Sequence, residues 1–179
     1  MTRGRPVNIL ALDLSLTSTG WARYAAGVIR RGHLEPNGLR GYDRLEWIRQ
    51  RALDLAWGCD LVVLEGYSFG SKGNAILNAA ELGGVIRMAL HDLGLTWANV
   101  PPAVLKKYAT GKGNAGKELV LVEAVKRLGY EGSSNDEADA LWLLQMALDA
   151  YGLAEIGVPK AQREALEKVN WPSFTLEAR

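Results

Sequence analysis

Four carboxylates in this chain have types and spacing suited to chemistry. Asp13 closes the apolar run Ile9, Leu10, Ala11, Leu12, and Glu65 closes a second one, LVVL at 61–64. Unpaired charge at the buried end of a strand is costly, so each acid must meet solvent, a donor or a cation. Asp136 and Asp139 stand three apart in NDEADALWLL, on one face of the opening turns of a helix. Taken singly, each acid has an ordinary structural reading: an Asx-turn after a strand, or a charge favoured at a helix N-terminus by the macrodipole. Together they form a constellation carried on two strand ends and one helix. Hard divalent cations, Mg²⁺ above all, are held by such oxygens, with water and phosphate in the open positions. Without a cation, crowded carboxylates repel, so the site is expected to be strained or partly protonated.

The elements that must position these acids follow from the pattern around them. Runs of four apolar residues leading into turns read as buried central strands. A Ser/Thr segment follows Asp13 and closes at Gly20; residues 20–25 and 28–34 then read as two strands of a hairpin turning at Ala26-Gly27. His33, on a hairpin arm, is expected to be exposed rather than catalytic. Residues 40–57 are helical by period, with Leu45, Ile48, Ala52, Leu55 and Ala56 on one face and Arg40, Arg44, Arg49 and Arg51 solvated. A long helix is expected over 71–93, where the small residues Ala79, Ala80, Gly83 and Gly84 admit a close neighbour, either the sheet or a second subunit. Residues 95–100 read as a fifth strand ending at Pro101-Pro102, followed by helices over 103–108 and 118–128. Ser134 with Glu137 forms a capping box that opens the last major helix, whose start is read over 133–144.

Between those helices lies TGKGNAGK, residues 110–117. It lacks Walker A spacing, so a P-loop is rejected. Its backbone amides and the start of the next helix can still hold a phosphate. Lys106, Lys107, Lys112 and Lys117 form the densest basic patch in the chain. A charge run alone is usually solvated surface; beside a carboxylate site it reads as a nucleic-acid contact.

At this point the residues resemble a known family, the RuvC-type Holliday junction resolvases of the RNase H-like nuclease superfamily. The resemblance rests on ILALDLSLTSTGWA, LVVLEGYSFG, KKYATGKGNAGKE and NDEADALWLL, and spans roughly residues 7–150 in the family's order. It implies an α/β fold with an RNase H-like five-stranded mixed sheet flanked by helices, and a metal-dependent endonuclease acting on branched DNA, four-way junctions above all. Carried onto this sequence, it makes Asp13, Glu65, Asp136 and Asp139 the metal-binding catalytic acids, with Asp13 shared between two Mg²⁺ ions that Mn²⁺ could replace. Lys106 and Lys117 fall where the family has lysines near the cleaved strand. Lys117 is expected to neutralise charge developing on the phosphate. The family's aromatic after the second acid is replaced by Ser68, which leaves Tyr67 and Phe69 as alternatives for stacking on a base. The resemblance also implies a homodimer formed partly through the long helix. Independently, the twofold character of a four-way junction asks for two sites related by a dyad.

Composition bounds the rest. At 179 residues and 48% hydrophobic, the chain suffices for one packed domain, read as residues 1–150, with an extension of unknown role over 151–179. In that extension 160–169 reads as an exposed amphipathic helix, and Trp171 and Phe174 as aromatics that dock on a neighbour or stay loose. The net charge of +1 is low for a DNA-coating protein, so affinity must come from charge placement. The single cysteine, Cys59, excludes an internal disulfide and a Cys-based zinc site. No apolar stretch approaches the ~20 residues of a membrane span, and the expected location is cytoplasmic, in a bacterial or virus-infected cell. The six tryptophans are scattered, with core packing expected for most.

Two other classes share parts of this pattern. DLSLTSTG also looks like the first phosphate loop of actin-like ATPases and sugar kinases, but those enzymes close two such domains around a nucleotide and 179 residues leave no room for a second. A non-catalytic junction-binding module would gain nothing from four acids that repel the phosphates it must hold. Within the nuclease class, a relative cutting flaps or forks is the nearest rival, since fold does not fix substrate.

Overall fold

A computed structural model of the protein describes residues 7–67 and 74–173. At its centre is β1 (Ile9–Asp13), buried along its whole length. It pairs antiparallel with β2 (Thr19–Ala25) and parallel with β4 (Leu61–Glu65). Strand β3 (Val28–Leu34) extends the sheet beyond β2, and β5 (Trp97–Val100) lies parallel to β4, giving the order β3-β2-β1-β4-β5. The β2–β3 hairpin turns through Ala26 at φ 50° and Gly27 at φ 81°, the left-handed pair that a two-residue turn matching strand twist requires.

Strand parity sorts the core into two halves. Leu10, Leu12, Val62 and Leu64 face helices α1 (Gly41–Ala56) and α2 (Asn74–Asp92), meeting Ile48, Ala52, Leu82, Ile86 and Leu90. Ile9, Ala11, Leu61 and Val63 face the opposite layer, built from α3 (Pro102–Thr110), α4 (Lys117–Leu128) and α5 (Asn135–Ala150). Helix α5 is buried from Ala138 to Leu148, because the sheet covers one side of it and α3 and α4 cover the other. By the same parity Asp13 and Glu65, two residues beyond Ala11 and Val63, fall on the α5 side.

Helix α5, whose start alone was read from 133–144, runs on to Ala150. Elsewhere the elements match the sequence reading closely, with two differences. Residues 160–169 form one short helix, α6 (Lys160–Arg163), continued by a 3-10 turn, Glu164–Lys168, with Ala165 and Val169 buried in the α3–α5 core rather than a free amphipathic face. Trp142 is fully buried as expected, but Trp57 at the end of α1 is 78% exposed. Cys59 is buried, and its thiol is pushed up chiefly by that burial. Among the described residues no helix is long and apolar enough to cross a membrane.

Candidate active site

The register places the acids. Leu12 pairs with Leu64, so Asp13 and Glu65 stand side by side at the same end of two parallel strands. On its other side Asp13 is opposite Gly20 of β2. A Cβ at Gly20 would collide with the Asp136 backbone carbonyl. The glycine therefore lets the first turn of α5 settle directly onto the strand, which carries Asp136 and Asp139 toward the two strand-end acids. From sequence, Gly20 is only the close of the Ser/Thr segment and the start of a strand; close backbone approach is a standard reason for a glycine there.

The Asp13 and Glu65 carboxyls are close enough to hydrogen-bond to one another. Burial, then the charges of Glu65, Asp139 and Asp136, push Asp13 well above the usual carboxylate range. Glu65 is raised chiefly by burial, against its hydrogen bond with Asp13 and the nearby Lys117 and Lys106. Asp139 is pushed up to about 7 by burial and the charge of Glu65, again with Lys117 and Lys106 opposing. The four acids thus act on one another as one cluster. Among the described residues no group of three or more His, Cys, Asp or Glu side chains is drawn into a geometry that would hold a metal ion. Crowded carboxylates of this kind repel one another, and each is harder to ionise for it. The donors are all oxygens and carry mutually repelling charge, so the residues fit a hard divalent cation. Asn135, absent from the sequence reading, adds a buried Oδ1 with no hydrogen-bond partner immediately before Asp136.

The lysines divide. Lys117 opens α4 and Lys106 lies on α3, both near enough to act on Glu65 and Asp139. Lys107 is half-buried on α3, and Lys112 is exposed in the turn after it, where its N–H donates to Thr110 Oγ1 at 3.1 Å. Tyr67 is held down: its hydroxyl accepts from Arg87 Nη1 at 3.0 Å, and the Arg87 guanidinium lies 4.6 Å from the ring centroid. Phe69 falls outside the described residues.

Only half of the capping box forms. Ser134 Oγ accepts from the Glu137 N–H at 3.3 Å, but the Glu137 carboxylate turns away to His33 Nδ1, 2.5 Å distant, and to the Tyr130 hydroxyl at 3.3 Å. The Ser134 N–H donates to Tyr130 Oη instead, at 3.1 Å. His33 is 41% exposed, and its imidazole pKa is raised mainly by the Glu137 hydrogen bond. It is therefore an anchor between the hairpin and the start of α5, not a member of the acid cluster. In the segment after Asp13, Thr19 Oγ1 donates to the Ser15 carbonyl at 2.8 Å and accepts the Ser15 N–H at 3.1 Å, so part of its polarity is satisfied internally.

A five-stranded sheet in the order β3-β2-β1-β4-β5, with acids at the ends of its two central parallel strands and on the helix laid across them, defines an RNase H-like α/β domain. No family model matches the chain. It is 33% identical over 147 residues to the crossover junction endodeoxyribonuclease RuvC of Synechococcus sp. (strain WH7803), covering 75% of this chain and 94% of that protein. To the RuvC crossover junction endodeoxyribonuclease of Rhodospirillum rubrum it is 29% identical over 152 residues, 79% and 88% of the two chains. The chain belongs to the RuvC family of crossover junction endodeoxyribonucleases. Its fold matches that of Thermus thermophilus RuvC with a TM-score of 0.63 at 18% identity, covering 84% of this chain and all of that one. It matches the same protein in complex with a Holliday junction substrate with a TM-score of 0.64 at 17% identity.

Proposed function

We propose that the protein resolves four-way DNA junctions by paired symmetric nicks, as a cytoplasmic homodimer whose two sites each hold two Mg²⁺ ions, with Mn²⁺ as a substitute. The observation that carries this is the convergence of Asp13, Glu65, Asp136 and Asp139 from two strand ends and one helix, electrostatically coupled to one another and faced by two lysines. Asp13 would be the ligand common to the two ions, and Glu65, Asp136 and Asp139 would hold them with it. The ions, when bound, lower the pKa of the attacking water and stabilise the leaving oxygen.

The chain's own residues do the rest. Asp13, held at the centre of the acids, is the residue whose charge the others most oppose. Lys117 sets a fixed cation beside the acids and offsets charge developing on the phosphate. Lys106, Lys107 and Lys112 hold the phosphates of the strand on either side, and Tyr67 or Phe69 supplies a ring for a base. The outer face of α2 supports the dimer: Leu77 and Met88 are 66% and 60% exposed, with the exposed small residues Ala80 and Gly84 between them at helical spacing.

The test is cleavage of a labelled immobile four-way junction, a flap and a linear duplex of matched sequence, with Mg²⁺ and with chelator. Paired nicks at symmetric positions on the junction alone, lost in chelator, are expected. Equal cutting of all three would leave the acid cluster as a nuclease centre and remove the junction assignment.

A further inference from the structure

Helix α5 carries a glutamine within a stripe of leucines. Leu141, Leu144, Gln145 and Leu148 follow the i, i+3, i+4, i+7 spacing of one helical face, and all four are buried. Gln145 is 5% exposed, and its Nε2 has no hydrogen-bond partner among the described residues. The Tyr108 oxygen is near enough to feel that amide but falls short of a formed hydrogen bond with it, and its own proton goes to Asp149 Oδ2 at 2.9 Å. A buried donor left unpaired is costly. A fourth leucine would complete the face without that cost.

That face opens on a cavity of about 220 Å³. Tyr24 and Ile29 of the hairpin, Leu144 and Leu148 of α5, and Leu153 and Ile156 beyond it give the space apolar and aromatic walls. Gln145 is the buried polar side chain that lines it. Arg31 and Glu155 line it as well, both exposed, so its mouth carries one charge of each sign. None of the lining residues is one of the four acids. An apolar cavity of roughly 150 Å³ takes up benzene, so this one has room for about two fused rings.

We propose that this cavity is a binding site for a small, planar, neutral aromatic molecule of about two rings that carries a hydrogen-bond acceptor. The apolar walls take the rings, and the Gln145 amide donates to the acceptor. The opposite charges of Arg31 and Glu155 at the mouth favour a ligand without net charge. A ring system with no acceptor leaves the amide as unpaired as before. A bound molecule touches the hairpin, α5 and residues 153–156 together, and so stabilises the folded chain by mass action.

The experiment titrates the full-length protein with quinoline and with indole by calorimetry, in chelator and without DNA. The two molecules are similar in size, but quinoline has an acceptor nitrogen and indole a ring N–H instead. Wild type is expected to bind quinoline about fivefold more tightly, the usual weight of one neutral hydrogen bond, and to melt at a higher temperature with it. In Gln145→Leu that advantage should vanish, with the two molecules bound about equally. Ile29 is 44% exposed, so the larger ring of Ile29→Trp leans into the cavity without opening the core, and binding of both molecules is expected to be lost. A wild-type protein that takes up neither molecule, or takes up indole as tightly as quinoline, would overturn the proposal before any variant is needed. A quinoline advantage retained in Gln145→Leu, or quinoline binding retained in Ile29→Trp, would put the molecule somewhere other than this cavity and overturn it as well.

Discussion

At the scale of single residues, the acid cluster sets catalysis against stability. In the absence of a divalent cation, Asp139 holds its proton up to about pH 7, against 3.8 for an ordinary aspartate. Below pH 3.8 the group is protonated folded and unfolded, and contributes nothing to the difference. As pH rises from there to 7 the unfolded chain releases the proton and the folded one keeps it, so deprotonation favours unfolding and stability falls across that window. Asp139→Asn is therefore expected to be more stable than wild type at pH 7 in chelator, by about 3 °C in melting temperature for each 1 kcal/mol relieved. The gap should narrow toward pH 4 and shrink when Mg²⁺ is added to both, while the variant loses cutting. Melting curves at pH 4 and pH 7, with and without chelator, check this; a variant less stable than wild type at pH 7 would show that Asp139 has a structural partner. The four acids drew notice in the sequence only as a set, since each alone has an ordinary structural reading. Their protonation was not legible there, because it depends on how closely the fold brings them together.

At the scale of elements, one glycine decides whether the acids meet. Gly20 has no room for a Cβ because the Asp136 carbonyl occupies that space. Gly20→Ala must push the start of α5 off the sheet, and is expected to lower stability by about 2 kcal/mol, within the range for overpacking. It should also reduce cutting more than the stability loss explains, since Asp136 and Asp139 move away from Asp13. Wild-type kcat in a folded Gly20→Ala variant would contradict this account of how α5 is seated. The strands and helices were readable because apolar runs, turns and caps are local signals: LVVL ending in Glu65, the Ala26-Gly27 turn and the Ser134 cap each name their element. The partners of Glu137 were not readable. A capping box directs that carboxylate to the Ser134 N–H, but tertiary structure brings His33 and Tyr130 into reach and redirects it. Trp57 went unread for a similar reason, since exposure at the end of α1 depends on what the rest of the fold leaves uncovered.

At the scale of the whole molecule, the described residues after 150, up to 173, are built into the α3–α5 layer. Asp149 binds the Tyr108 hydroxyl at 2.9 Å and Arg163 Nη2 at 2.8 Å, while Arg127 donates to Gln162 Oε1 at 2.9 Å. Val158, Ala165 and Val169 enter the core, and Trp171 packs edge-on against Tyr151. A chain ending at Gly152 is expected to lose about 4 kcal/mol from two buried valines and their neighbours, and to melt about 10 °C lower. Circular dichroism melting decides it; a truncated chain with the full-length melting temperature would make this segment a passive cover. Periodicity suggested a free helix there because the segment alternates charge with apolar residues. Its docking was invisible, since the face it covers on α3 and α5 comes from residues some fifty and twenty positions earlier.

The most direct measurement on the acid cluster compares Asp13→Asn with wild type for both junction binding and Mg²⁺-dependent cutting. Asparagine keeps the shape of the side chain and removes its charge at the centre of the cluster. Cutting is expected to fall about a thousandfold or more, as when a principal charge-stabilising group is removed, with junction affinity unchanged or slightly tighter because one negative charge has gone. Binding and cutting lost in the same proportion would contradict the account, and would make Asp13 a residue that holds the fold rather than one that serves the reaction.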